Sequence, residues 1–365
     1  MRVVLGELPC ATTWLHFRVA SAAPRAPGQL DVAQRYNDDW RGWPVLPLHR
    51  QHPIRGSFLD PRPDPRRGAI YHDGVDIGVR DDLPGRGAPP GRTHRVHAIE
   101  GGKVTAATPR GTRGLVDAGH FRYEHVDARV AVGEVVEPGQ LIGWTTEGSW
   151  HVHLGEFIFQ PDGGRLIVNP LRPGGKLRPY VDREPPVIGE VRFHVPAEPA
   201  WGRRSAARVA RLPPAGRRID PSRLSGRVDV RVQTHDPQSF IGWFSALPWL
   251  AAPHHQFRIA VTVFSHATGK AVVDREVFRS ERMLTIPAGQ HYAPGTDQNL
   301  PANGCMRLHR TVRCDGIYWF RLFPRPYWDT TRLPNGGYRV RVRVWDAAGN
   351  DARDDTDVRI RNPAV

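Results

Sequence analysis

The segment Tyr338-Arg-Val-Arg-Val-Arg-Val344 predicts the fold class most directly. Its apolar side chains alternate with arginines, and a period of two is that of a β-strand with one buried face. Residues Asp346 to Asn350 supply a turn, after which Val358 and Ile360 return on a second strand. The segment therefore predicts an antiparallel hairpin with an apolar inner face and an outer face of arginines.

The region before this hairpin carries the same signal. Val228, Val230 and Val232 alternate with charged residues, as a half-buried strand requires. Several such strands without a helical stripe are typical of a sandwich. We therefore predict an immunoglobulin-like β-sandwich at residues 187–365 as an accessory domain, preceded by a linker at Asp182 to Pro186.

Residues 43–182 predict a second β-rich domain. Short apolar runs recur there at close intervals, separated by glycine or proline, which favours a sandwich or folded barrel over alternating strands and helices. We expect a small, mostly antiparallel sheet or barrel-like domain, and an all-β fold class for the chain. Residues 1–42 begin like a secretory leader, but Glu7, His16 and Arg18 interrupt its apolar run, so they are assigned as leader or tail.

The composition limits the classes of partner. No apolar run is long enough for a membrane-spanning helix, so no transmembrane segment is expected. The net charge of +14 comes almost wholly from arginine, since Lys103, Lys176 and Lys270 are the only lysines, and it favours anionic partners such as wall polymers. Arginine in place of lysine indicates codon bias, and without a basic block we expect no specific nucleic-acid partner.

Cys305 and Cys314 either form a disulfide or remain thiols.

Two segments together form the strongest candidate metal site. His72 and Asp76 lie four residues apart; on a straight strand they would be roughly 13 Å apart, but the Asp-Gly pair between them permits a sharp turn. His151 and His153 lie two apart on a predicted strand, so both point to the same face. One of them can bind a metal while the other faces whatever the metal binds.

Two histidines and one aspartate, with a position left for water, are the pattern of a catalytic zinc site. Zinc lowers the pKa of bound water to about 7 and polarises a carbonyl group, and a nearby imidazole can take or return the proton. The same ligand types describe non-haem iron oxygenases. The ligand spacing and the accompanying glycine hairpins fit that class poorly, so the sequence favours zinc-dependent hydrolysis.

The motifs around these residues resemble those of the lysostaphin-type (LytM-type) zinc metalloendopeptidases, cell-wall hydrolases with the duplicated hybrid motif fold. His72-Asp-Gly-Val-Asp76 matches the HxxxD motif of that family, and His151-Val-His153-Leu-Gly-Glu-Phe157 matches its HxH motif. The resemblance covers about residues 53–170. Three intervening segments follow the family order: His97-Ala-Ile-Glu-Gly-Gly-Lys-Val104, Tyr123-Glu-His125 and Val132-Gly-Glu-Val-Val-Glu-Pro-Gly-Gln-Leu-Ile-Gly143.

This resemblance implies a zinc site and a catalytic pair. It implies that zinc is bound by His72, Asp76 and His153, and that His125 and His151 position or deprotonate the water and stabilise the tetrahedral intermediate. It further implies a secreted or cell-envelope protein that hydrolyses peptide bonds in bacterial peptidoglycan stems or cross-bridges.

A non-catalytic wall scaffold, or an activator of another hydrolase with the same fold, is the alternative. Degenerate relatives of that kind typically lose ligands, whereas all five family positions are filled here.

The sequence departs from the family pattern at two places that bear on substrate choice. Asp81 to Thr93 is a longer, Gly/Pro/Arg-rich connection, and Arg66 and Arg67 lie where some members have a tyrosine that helps stabilise the transition state.

Overall fold

The computed structural model describes residues 42–64, 68–79, 92–108, 114–146, 149, 151–196, 216–239, 253–296, 316–324 and 327–364. All of them belong to one compact unit, Trp40–Val365. Several sequence predictions lie outside the described residues: nearly all of the leader or tail, most of the Asp81 to Thr93 insertion, and the Cys305 and Cys314 pair.

The all-β prediction is confirmed. The first half of the chain contributes thirteen strands within the described residues, and most follow the predicted short apolar runs. They are β1 Ile54–Gly56, β2 Pro61–Asp64, β3 Gly68–Tyr71, β4 Val75–Gly78, β5 Arg92–His97, β6 Gly102–Thr108, β7 Leu115–Ala118, β8 Phe121–Glu124, β9 Val126–Ala128, β10 Val135–Val136, β11 Leu141–Thr146, β12 His151–Phe159 and β13 Arg165–Val168.

One antiparallel sheet dominates this half. Its order is β1-β4-β12-β8-β7-β6-β10, with β13 paired to β12, while β5-β11-β9 and β2-β3 form smaller sheets. The two central strands are buried at successive positions, including Val75 and Ile77 on β4 and Val152 and Leu154 on β12. Burial without alternation means that both faces of the sheet are covered at this point.

The second half forms two four-stranded antiparallel sheets within the described residues, of order β14-β15-β18 with β19 on β15, and β17-β16-β20-β21. The rings of Phe278 and Phe320, one from each sheet, are 4.9 Å apart, so the sheets pack together as a sandwich. The elements are β14 Val187–His194, β15 Arg227–His235, β16 Arg258–Ser265, β17 Ala271–Arg279, α1 Ala288–His291, β18 Tyr318–Arg321, β19 Trp328–Asp329, β20 Gly336–Trp345 and β21 Asp351–Ile360, with 3-10 turns at Pro221–Arg223 and Thr330–Arg332.

The predicted C-terminal hairpin is present as β20 and β21. Tyr338 pairs with Val358, and the valines of β20 are fully buried. The alternating arginines point outward and form cross-strand ion pairs, for example between Arg341 and Asp355 at 2.8 Å. Because these pairs are exposed, each contributes little to stability. The buried apolar face is what holds the hairpin in the sandwich.

The sandwich packs directly on β1 and on the segment that follows it. His254 Nε2 lies 2.6 Å from the Ile54 carbonyl oxygen, and Gln238 bonds both the amide and the carbonyl of Ile54. His254 and His255 are both buried, and His255 Nε2 contacts the Phe58 carbonyl oxygen. The second half of the chain therefore supports the backbone from which the candidate site is built.

None of the helices in the described residues has both the length and the apolar character needed to cross a membrane.

Candidate metal centre

The three predicted ligands meet in the centre of the large sheet. His72 lies between β3 and β4, Asp76 is on β4, and His153 is on β12 directly opposite Asp76. His72 Nε2 is 2.8 Å from His153 Nδ1, and each of these nitrogens is 3.1 Å from Asp76 Oδ1. All three residues are less than 10% exposed. The structure therefore forms a buried group that can hold a metal ion.

Gly74 allows this convergence. A Cβ atom at this position would lie 2.5 Å from the Leu154 carbonyl oxygen and 2.6 Å from His153 Nε2, both too close for any side chain. The sequence predicted that this glycine would permit a turn. In the structure its decisive property is the missing side chain, which lets the loop between His72 and Asp76 lie against β12.

The outer nitrogens of both histidines indicate which atoms face the centre. His72 Nδ1 is 2.8 Å from the Ser57 carbonyl oxygen, which can only accept, so Nδ1 carries the proton. His153 Nε2 is 3.4 Å from Asp73 Oδ1 and donates to it in the same way. Metal-binding histidines commonly donate their second N–H to a carbonyl or carboxylate. In the neutral forms, two lone pairs and a carboxylate oxygen therefore face one another, and such a group requires a cation or a proton between its atoms.

The carboxylate of Asp76 is held from its other side. Arg62 Nη2 donates to Asp76 Oδ2 at 2.9 Å, which leaves Oδ1 directed at the histidines. A Cβ on Gly56 would lie 2.5 Å from the same Oδ2, so a glycine is needed for this approach. Burial alone would raise the pKa of Asp76, but the imidazoles of His72, His151 and His153 hold that pKa well below its usual value.

The pKa values of His72 and His153 are shifted in opposite directions. Burial lowers the pKa of His72, and the nearby Arg62 guanidinium adds to that effect. Burial also opposes a charge on His153, but its hydrogen bonds to Asp73 and Asp76 outweigh this effect and raise its pKa to about 10. One proton on His153 thus occupies the place that a metal ion would take.

The two remaining candidates, His125 and His151, lie beside the ligand group. Their rings are 4.6 Å apart at the centroids in an edge-to-face arrangement, and His151 Nε2 is 3.6 Å from Asp76 Oδ1. His125 occupies the junction between β8 and β9 with a positive φ of 64°, a backbone conformation that few non-glycine residues adopt. This local conformation turns the chain between the two strands at the site.

A hydrogen bond from Arg55 fixes the tautomer of His151, and burial and the charge of Arg55 together lower the pKa of that ring. Its Nη1 lies 2.9 Å from His151 Nδ1, and a guanidinium only donates, so Nδ1 accepts and Nε2 carries the proton of the neutral ring. Burial lowers the pKa of His151 to about 3, and the charge of Arg55 contributes in the same direction. His151 is therefore neutral at physiological pH, with an N–H directed toward the ligand group.

Sequence reasoning missed the residues that orient four of the five candidate side chains, namely His72, Asp76, His151 and His153. These residues are Arg55, Arg62, Asp73 and Ser57, the last through its carbonyl. Arg55 lies on β1, and nothing in the local sequence distinguishes it from the many other arginines of the chain. Tyr71 also differs from a transition-state tyrosine, since its hydroxyl is buried and 2.6 Å from His291 Nδ1. Only the fold reveals these contacts.

Comparison with known proteins identifies no family. No family model matches the chain, and no curated protein matches it. Three solved structures align with parts of it. One is cbpa from L. salivarius REN, at 26% identity over 27% of this chain and 70% of that chain, with a TM-score of 0.19.

The second is Helicobacter pylori Csd3, at 20% identity over 38% of this chain and 34% of that one, with a TM-score of 0.26. The third is a tetra-tandem repeat in the extending region of a large adhesion protein, at 12% identity over 74% and 46%, with a TM-score of 0.20. These alignments span less than half the length of the second and third structures. At such TM-scores the alignments support no functional inference, and the chemistry rests on the side chains described above.

Proposed function

We propose that the chain is a zinc-dependent endopeptidase that hydrolyses peptide bonds in bacterial peptidoglycan stems or cross-bridges. The observation that carries this proposal is the convergence of His72 Nε2, His153 Nδ1 and Asp76 Oδ1 at 2.8 to 3.1 Å. Two nitrogens and one oxygen suit zinc, and three protein ligands leave a position open, as catalytic zinc sites require.

Zinc held by His72, Asp76 and His153 would supply a Lewis acid that acidifies a bound water and polarises the scissile carbonyl. The chain supports these ligands through a second layer of contacts, from Ser57, Asp73 and Arg62. Such contacts keep each ligand in one orientation and one protonation state.

His151 and His125 take different parts in this proposal. Because its Nδ1 accepts from Arg55, neutral His151 offers an N–H and suits hydrogen-bond donation to the carbonyl oxygen as negative charge develops there. His125 is then the imidazole that accepts the proton of the attacking water and returns it to the departing amine. The side chain of His151 is 18% exposed while those of the ligands are 6 to 8% exposed, so substrate approaches from the side of His151.

The choice of peptidoglycan rests on the sequence resemblance, whereas the hydrolytic chemistry rests on the site. A peptidoglycan substrate places the protein outside the cytoplasmic membrane, in the envelope or the medium. The net charge of +14 favours attraction to anionic wall polymers.

Mass spectrometry of fragments released from purified peptidoglycan, with and without a chelator, tests the proposal and identifies the bond that is cut. His153→Ala should lose both zinc and fragment release. His151→Ala should retain zinc but lose about 10²- to 10³-fold in turnover, the usual cost of removing one donor to a developing oxyanion. His266→Ala, at a histidine whose side chain is 44% exposed, is the control.

Release that persists in the chelator or in His153→Ala would contradict zinc catalysis. A folded, zinc-loaded protein that releases nothing from several wall types would instead support the scaffold or activator alternative.

A further inference from the structure

A second group of carboxylates lies outside the candidate metal centre. Asp182, Asp236 and Asp346 each place one carboxylate oxygen within 4.8 Å of the other two. They come from the linker and from the residues directly after β15 and β20. These three segments are remote in sequence and meet only because the two sheets of the sandwich pack next to the linker.

One oxygen of the buried Asp236 carboxylate receives no hydrogen bond from the described residues. This residue is only 4% exposed, and its Oδ1 has no hydrogen-bond partner among the described residues. Its backbone is fully engaged, since the amide and carbonyl of Asp236 pair with those of His254. A buried carboxylate oxygen without a donor is costly, and two further carboxylates within 4.8 Å add like-charge repulsion.

The other two carboxylates are held in place by backbone amides. Asp182 Oδ1 accepts from the amides of Glu184 and Ser239. Asp346 Oδ1 accepts from the amide of Gly349 at 2.6 Å, and Asn350 bridges the two segments by donating to Asp346 Oδ2 and to the Asp182 carbonyl. Among described arginines and lysines, none forms an ion pair with the three aspartates. The acidic group is therefore preorganised, and no described basic side chain neutralises it.

We propose that Asp182, Asp236 and Asp346 bind a calcium ion that fastens the linker to the ends of β15 and β20. A site made only of oxygen ligands selects a hard cation. Calcium suits it better than magnesium, because calcium accepts six to eight oxygens in flexible geometry whereas magnesium demands a near-ideal octahedron. The remaining positions would be filled by carbonyl oxygens and water.

A cation bound by these aspartates would also lie close to the residues that hold β1 next to the candidate metal centre. His254, which pairs with Asp236, contacts the Ile54 carbonyl, and Gln238, two residues beyond Asp236, bonds the same residue. Ile54 is on β1, which pairs with β4, the strand that carries Asp76. The calcium proposal does not depend on zinc or on peptidase activity.

Calcium titration of the chelator-treated full chain tests the proposal by isothermal calorimetry and by thermal unfolding. We expect one site with a Kd below about 1 mM, within the range of extracellular calcium modules. At saturating calcium, Tm should rise by about 3 to 5 °C, and magnesium at the same concentration should produce a smaller rise.

The variant Asp236→Asn should abolish the calcium-dependent rise in Tm. Without calcium its Tm should equal or exceed that of the wild type, because the substitution removes charge repulsion. Asp354→Asn, at an exposed aspartate on β21, should respond to calcium like the wild type. His153→Ala should also keep the calcium response, since His153 belongs to the other site.

Absence of binding heat and of any Tm change in the wild type up to about 10 mM calcium, well above the affinity range of extracellular sites, would overturn the proposal. An equal response to magnesium would overturn the assignment to calcium, and a calcium response that persists in Asp236→Asn would overturn the site.

Discussion

The Nε2 atom of His255 lies 2.8 Å from the carbonyl oxygen of Phe58, although 197 residues separate them. Phe58 follows Ser57, whose own carbonyl accepts the hydrogen bond that orients His72. Ser280 Oγ donates to the same Phe58 carbonyl at 2.9 Å. The sandwich therefore holds the backbone that orients a candidate zinc ligand.

Replacement of His255 should weaken both the fold and the metal centre. His255→Ala removes a buried hydrogen bond and leaves a cavity, so the free energy of unfolding should fall by about 1 to 3 kcal/mol, as urea denaturation would measure. Zinc affinity should fall as well. Without the hydrogen bond to the Phe58 carbonyl, the backbone can shift at the neighbouring Ser57, whose carbonyl orients the ligand His72. His266→Ala removes an exposed imidazole from the same half of the chain. Equal stability and zinc affinity in both variants would contradict a supporting role for the sandwich.

A methyl group at Gly74 should disrupt the metal centre. The Cβ of Gly74→Ala would collide with the Leu154 carbonyl and with His153, so the loop must move away from β12. We expect zinc affinity to fall by about 10-fold or more, as measured by competition with a chromogenic chelator. Gly155→Ala is the matched control, because its Cβ would make only ordinary contacts of 3.5 Å or more. Similar zinc affinities in the two variants would show that the close approach at Gly74 is not required.

Arg55 should act as a positioning residue for His151. Arg55→Met removes the donor to His151 Nδ1, so the ring loses its defined tautomer and kcat should fall by about 10- to 100-fold with zinc content unchanged. Burial and the charge of Arg55 both lower the pKa of His151. Loss of that charge should therefore move the acidic limb of the pH–rate profile to higher pH. Arg129→Met, at an exposed arginine, should change neither kcat nor the profile. An unshifted profile in Arg55→Met would rule out this role.

Zinc binding should release about one proton at pH 7. Asp73 and Asp76 raise the pKa of His153 to about 10 in the metal-free chain, so this imidazole is protonated at pH 7, and zinc must displace that proton because it binds the neutral ring. Calorimetric titration in buffers of different ionisation enthalpy counts the protons released. A value near zero would mean that His153 is already neutral, and would contradict the proton between the ligands.

The same group makes the stability of the zinc-free chain depend on pH. The folded pKa of about 10 exceeds the value of about 6.5 for an unfolded histidine. The stabilisation is therefore complete below about pH 6.5 and is lost as the pH rises through about 10. Urea midpoints measured from pH 6.5 to 10 should fall in the wild type by more than in His153→Ala. Parallel curves for the two proteins would contradict the raised pKa.

The strands were predictable because their signal is local. Alternating arginine and valine define β20 by a period of two, and β12 contains His151 and His153, which were predicted to share a strand. The candidate ligands were also predictable as residue types at fixed spacings. The continuous burial of β4 and β12 was not predictable from the sequence. It depends on which other elements cover the second face of the sheet, and the sequence of a single strand does not specify them.

The sequence by itself determined an all-β chain and proposed His72, Asp76, His125, His151 and His153 for one site. The tertiary structure decided which atoms of those side chains face one another, through the contacts of Arg55, Arg62 and Asp73. It also decided that His255 supports the site and that Asp182, Asp236 and Asp346 meet. Some of these hydrogen bonds join residues two hundred or more positions apart in the sequence. Only tertiary packing brings such residues together, since a local pattern specifies a strand and not the neighbours of that strand.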